Sequence, residues 1–174
     1  MIKLCVCLLM ALLLCGCSGE DSFETISDNL QPQQEAKKLQ MVVQLPDEVA
    51  VPVLSQPQEG KLYVCEDYTL TMHTYPAGDT QKVIKEISGY APDALDIMKS
   101  KVGIFDRLQF VWTCVGEGQT EVGRATILTD GDYSYVLTAM APENKAGALM
   151  QGAWQDIFAT FRAVDPDTIV STGS

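Results

Sequence analysis

The chain has 174 residues, 47% hydrophobic and 20% charged, a mixture that excludes collagen-like, coiled-coil and wholly disordered proteins and fits one globular domain. Lys and Arg number 12 against 23 Asp and Glu, a formal net charge of −11, so the surface repels polyphosphates and anionic lipid headgroups. Nucleic-acid binding and peripheral attachment to acidic membranes are therefore disfavoured, and the acidic balance otherwise speaks to solubility.

The chain opens MIKLCVCLLMALLLCGC, with Lys3 as a short basic region and an apolar run over 4–15. That pattern predicts an export signal over 1–16. Its apolar core is about twelve residues, short of the roughly twenty a bilayer-spanning helix needs. Leu14-Cys15-Gly16-Cys17 resembles the bacterial lipobox, which places cleavage between Gly16 and Cys17 and makes Cys17 the acylated first residue of the mature chain. The alternative is ordinary secretory cleavage with Cys17 an idle thiol. Each buried methylene adds about 0.8 kcal/mol, so two acyl chains on one glyceryl group anchor a protein durably. Loss of the leader removes Lys3 alone among charges and moves the formal balance to −12.

Of six cysteines, Cys5, Cys7 and Cys15 leave with the signal and Cys17 carries lipid, so Cys65 and Cys114 remain for one disulfide. They lie 49 positions apart, and closing that loop outside the cytoplasm would add about 4 kcal/mol in the chain-entropy picture. The alternative is two separate buried thiols acting as small apolar groups. Neither CxxC nor HxxxH spacing is present, so no zinc site is expected.

Residues 17–58 are read as the lipidated cysteine and a flexible tether. The part over 18–40 is polar and Gln-rich with Phe23 its only aromatic, and it spans about 25 Å as a random coil. Within it 39–45 has the β-branched character of an edge strand that Pro46 ends. The globular domain is placed at 59–163 and a polar tail at 164–174. Strands over 61–65 and 68–75 form a hairpin, with Tyr68, Leu70 and Met72 alternating onto one face. Asp79 caps a short helix over 80–88, in which Val83, Ile84 and Ile87 make the apolar stripe and Gly89 the stop. The stretch 91–102 fits either a helix opening at Pro92-Asp93 or a strand, with the strand preferred.

Strands over 106–115, 120–128 and 133–141 follow, joined by Gly116-Glu117-Gly118-Gln119 and Thr129-Asp130-Gly131-Asp132, both of hairpin length. Consecutive hairpins give an antiparallel meander. A long helix over 146–161 closes the domain, since Ala146, Leu149, Met150, Ala153, Trp154, Ile157, Phe158 and Phe161 recur at helical spacing after Pro142-Glu143. Trp112 and Trp154 are expected in the core.

No catalytic set emerges from the residue inventory. The chain has one histidine, His73, on the strand face opposite Leu70 and Met72, where a structural role is expected. Glu66-Asp67 and Asp130-Gly131-Asp132 sit in turns, where acids serve turn geometry, and the EF-hand ligand pattern is absent. Tyr63, Tyr68, Tyr75 and Tyr90 are candidate partner anchors, against cross-strand packing as the plainer role.

The order hairpin, short helix, meander, closing helix, together with the ending Trp154-Gln-Asp-Ile-Phe-Ala-Thr-Phe161, resembles the PsbP-like fold. That α/β/α sandwich is shared by an extrinsic subunit of photosystem II and by small bacterial lipoproteins of unknown function. The likeness covers about 59–163. It implies an α+β domain with a meander sheet, a short helix and a long C-terminal helix packed on it, acting as a non-catalytic accessory or binding subunit. Some members bind metal through His or carboxylates; here only His73 would supply a histidine ligand, and no family site transfers. The expectation is thus an extracytoplasmic lipoprotein that binds a protein partner at the cell envelope, with no enzyme activity, cofactor, metal or nucleic acid. The alternatives are a solute-capturing lipoprotein, which needs an enclosed aromatic-lined pocket, and a small carboxylate-dependent hydrolase, which needs acids converging in a cleft.

Overall fold

A computed structural model describes residues 36–47, 52, 54–56, 60–76, 78–116 and 118–170. The expected signal over 1–16 and cleavage after Gly16, Cys17, and most of the segment read as a tether over 17–58 lie outside the described residues. The strands are β1 (Gln40–Val42), β2 (Leu54–Gln56), β3 (Gly60–Val64), β4 (Thr69–Pro76), β5 (Met98–Val102), β6 (Phe105–Gly116), β7 (Gln119–Thr129), β8 (Tyr133–Pro142) and β9 (Arg162–Val164). The helices are α1 (Thr80–Ser88), α2 (Glu143–Gln151), α3 (Ala153–Thr160) and α4 (Pro166–Val170).

Seven strands form one antiparallel sheet in the order β2-β3-β4-β8-β7-β6-β5. Tight turns make β5 to β8 a meander, and β8 returns beside β4 with Leu70 opposite Ala139 and Met72 opposite Leu137. Asp-Gly does its turn work: Gly131 takes φ 100°, while Asp130 Oδ1 accepts from the amides of Asp132 (2.9 Å) and Tyr133 (2.8 Å). The two central turn residues are Gly131-Asp132, one position later than Asp130-Gly131.

Both faces of the sheet are covered near its middle, which explains why β8 is buried almost continuously whereas β4 alternates. On one face α2, α3 and β9 pack Trp154, Ile157, Phe158, Phe161 and Ala163 against Leu70, Leu137 and Tyr135. On the other, α1 lays Val83 and Ile84 on Phe110, Trp112 and Ile127. Gly123 makes the second packing possible: a Cβ there would stand 2.3 Å from two carbons of the Trp112 indole and 2.7 Å from the Met140 sulfur. Tryptophans 112 and 154 are both buried, as expected.

Helix α1 has the bounds and caps read from sequence: the Asp79 carboxylate accepts from the Gln81 amide at 2.9 Å, and Gly89 closes it at φ 79°. The segment 91–102 divides into a 3-10 turn at Pro92–Ala94 and the strand β5. The closing helix is interrupted: Gly152, at φ −123° and ψ −114°, leaves helical geometry and splits it into α2 and α3. The edge strand near 39–45 is β1, but its partner is β9, Met41 lying opposite Ala163. Lys37 pairs with Asp165 (2.7 Å) and Asp167, and α4 follows. The compact unit therefore starts at Ala36 and takes in residues beyond both ends of 59–163.

Cys65 and Cys114 form no disulfide, a correction to the pairing considered from spacing. Cys65 follows β3 and packs on the Trp154 side of the sheet; Cys114 lies in β6 and packs on the Trp112 side. Four inter-strand steps separate β3 from β6, about 19 Å at roughly 4.8 Å each. A disulfide tolerates Cα separations only up to about 7 Å.

Candidate functional site

The residues singled out from sequence are mostly structural. His73 faces away from Leu70 and Met72, its ring tilted on Tyr75 at 4.3 Å between centroids. Tyr75 donates to Glu86 Oε1 (3.2 Å), and its phenol pKa is pushed up to about 12 by burial and then by that carboxylate. Tyr63 is buried, Tyr68 sits edge-on to Trp154, and the Tyr90 hydroxyl is tied to the Thr113 carbonyl at 2.8 Å. Asp130 is bound into its turn and also accepts from the Tyr135 hydroxyl at 3.1 Å. Among the described residues no three His, Cys, Asp or Glu side chains come together in a way that could hold a metal ion.

Among the described residues, the surface clefts include three of note. One of about 490 Å³ gathers Glu66, Asp67 and Glu121 beside Cys65 and Tyr68, and Lys145 neutralises Asp67 there at 2.9 Å. A second, about 570 Å³, runs between 44–46 and α3, whose Thr160 Oγ1 accepts from the Gln44 amide at 3.0 Å. The third, about 290 Å³, lies beside Lys99, Ser100 and Arg107 near the start of α1.

The feature that sequence reading missed lies on the β5-β6 side of the sheet, on the face that α2 and α3 cover elsewhere. Strand register places the even positions of β5 and β7 and the odd positions of β6 on this face. Met98 (62% exposed), Val102 (44%), Val111 (46%) and Val115 (82%) stand on it open to solvent, with Ile104 (78%) in the adjoining turn. Scattered exposed aliphatics are ordinary; here four share one uncovered face, interleaved with Ser100, Gln109 and Thr113, which makes it a candidate contact surface. A trace existed in the sequence: Phe110-Val-Trp-Thr-Cys-Val115 is apolar at nearly every position, lacking the alternation of a strand with one wet face.

The charge on this strip is one-sided. Not one of its β5, β6 and β7 positions is Asp or Glu, although the chain carries 23 of them, while Arg107 and Arg124 both fall on it. The Arg107 Nε donates to Ser100 Oγ at 2.9 Å. Arg124 is half-buried with its guanidinium 4.4 Å from the centroid of the Phe158 ring of α3, and among the described residues it meets no carboxylate. Burial holds its pKa below the usual arginine value, since desolvation disfavours the charged form.

No known sequence family and no curated protein matches the chain. Solved structures do. LpqN, involved in cell envelope biogenesis of Mycobacterium tuberculosis, superposes with TM-score 0.50 at 14% identity over 76% of this chain and 87% of its own. A Bacteroides thetaiotaomicron protein gives 0.50 at 12% identity over 73% of this chain, which spans 46% of that protein. Mog1p, a Ran-binding protein of Saccharomyces cerevisiae, gives 0.47 at 12% identity over 76% and 98%. Identities this low show the fold alone, and that fold is the expected PsbP-like α+β class. No helix among the described residues is long and apolar enough to cross a membrane.

Proposed function

We propose that the chain is a lipid-anchored extracytoplasmic accessory module that works without catalysis, holding a protein partner at the cell envelope against the uncovered β5-β6 face. The observation that carries this reading is the set of exposed apolar side chains Met98, Val102, Val111 and Val115 sharing one uncovered sheet face. The lipobox ending in Cys17 supplies the anchor, and the fold shared with LpqN, a protein involved in cell envelope biogenesis, agrees with that location. Solute capture asks for an enclosed pocket, whereas the clefts described lie at the surface.

Expression in cells, fractionation and intact-mass measurement test the anchor. The native chain fractionates with membrane and carries the mass of a diacylglyceryl group, and Cys17→Ala is released and unmodified. A photoreactive residue at position 115 captures one protein in stoichiometric yield, and the same group at the exposed Lys85 of α1 does not. An unacylated native chain, or equal capture from both positions, overturns the proposal.

A further inference from the structure

The β5-β6 strip also states the chemistry of what it receives. We infer that the occupant is an amphipathic helix of the partner protein whose apolar face is flanked by carboxylates, the apolar side chains lying on Val111, Val115 and Met98 and the carboxylates reaching Arg124 and Arg107. This rests on the partner-binding reading and deepens it.

Width is the first ground. Where β5 flanks β6, over 105–109, β5 to β7 is two inter-strand steps, roughly 10 Å, which matches one helix with its side chains at about 10 to 12 Å; beyond Gln109, at Val111 and Val115, β6 is the edge strand and the helix overhangs it. The same face already takes helices, since α2 and α3 pack on its other half through Trp154, Ile157 and Phe158. Charge is the second ground. Arg124 is a half-buried cation that meets an aromatic ring and, among the described residues, no anion, so a carboxylate arriving at the strip neutralises a charge the fold leaves uncompensated. A second copy of this chain is the wrong occupant. Two such strips meeting across a two-fold axis bring guanidinium toward guanidinium and offer no acid to either.

The test uses the full mature chain and three synthetic amphipathic peptides of about 18 residues, or five turns. One has a Leu face flanked by Glu, one the same face flanked by Lys, and one Glu flanks with the Leu replaced by Ser. The Glu/Leu peptide should bind and shift the methyl resonances of Met98, Val111 and Val115. Its affinity should fall by about tenfold or more in Arg124→Gln, and in Arg107→Gln as a second variant of unaltered circular dichroism. Binding should also weaken as ionic strength rises from about 0.05 to about 0.5 M.

The Lys-flanked and Leu-free peptides should bind at least about tenfold more weakly. This is the reverse of what the acidic balance, −12 once Lys3 is gone with the leader, dictates for a non-specific contact. Equal or tighter binding of the Lys peptide, shifts confined to another face, or a concentration-dependent dimer abolished by Val115→Glu would overturn the inference. Capture at position 115 without any preference for acidic flanks would refute the partner's chemistry while leaving the partner-binding reading standing. Absence of both capture and peptide binding would sink the two together.

Discussion

Tyr135 shows how a single side chain closes the fold. It has no exposed surface, its hydroxyl accepts from the Leu39 amide at 3.0 Å and donates to Asp130 Oδ2 at 3.1 Å, and it thereby joins the segment before β1 to the turn between β7 and β8. Burial foremost pushes its pKa up to about 12; the Leu39 amide opposes the shift and Asp130 adds to it. The folded state thus holds the phenolic proton more tightly than the unfolded chain, whose tyrosines ionise near pH 10. The stabilisation is complete below about pH 10 and is lost as pH rises toward 12. Tyr135→Phe should cost about 1 to 3 kcal/mol at neutral pH, by stranding a part-buried amide, and should lose less further stability than the native protein between pH 9 and 12 or so. Urea titrations across that range decide it, and parallel pH curves would contradict the assignment. Nothing in the sequence marked Tyr135 out: its partner Leu39 is 96 positions away. Among the tyrosines that were marked, Tyr63 and Tyr75 turned out to serve packing, because strand aromatics bury area at every opportunity.

At the scale of elements, legibility followed range. The short helix α1 was read with its caps and stripe because everything that defines it lies within eleven residues, from Asp79 to Gly89. Nine residues do not hold a helix in water, so its persistence comes from Val83 and Ile84 on Trp112 and Ile127, with the cap adding a smaller share. Asp79→Ala should cost about 1 kcal/mol in urea denaturation, through loss of the acceptor for the Gln81 amide. A loss above roughly 3 kcal/mol would mean that Asp79 does more than cap. In the closing helix the apolar spacing picks out the core-facing residues but not the break at Gly152. Periodicity records which side chains face the core but not that Gly152 changes direction between two such runs. Likewise the ambiguity over 91–102 came from a segment that is two things, a 3-10 turn opened by Pro92 and then a strand.

At the scale of the molecule, strand order decides chemistry that spacing leaves open. The 49 residues between Cys65 and Cys114 are compatible with a bridge, but the order β3-β4-β8-β7-β6 sets the two thiols four strands apart on opposite faces. Reductant should therefore leave the thermal midpoint of the mature domain within about 1 °C, whereas loss of a bridge worth about 4 kcal/mol would lower it by roughly 10 °C or more. Thermal scans with and without dithiothreitol, together with alkylation of the denatured unreduced chain, measure this. A large fall, or failure of both thiols to alkylate, would restore the disulfide. The candidate surface belongs to the same scale, since Met98 and Val111 neighbour each other only because β5 and β6 pair in one register.

What the sequence determined by itself is local: the caps of α1, the turns at Gly118 and Gly131, and the alternation that made most strands visible. These depend on φ preferences, on neighbouring hydrogen bonds and on periodicity, all of which act over a few residues. Tertiary structure alone decided that β8 returns to β4, that 40–42 pairs with 162–164, that the cysteines stand apart, and that one flank of the sheet keeps apolar residues in the open beside two half-buried arginines. Those outcomes turn on which surfaces cover which, a competition among burial areas contributed by distant parts of the chain, and no short window of sequence contains both sides of it.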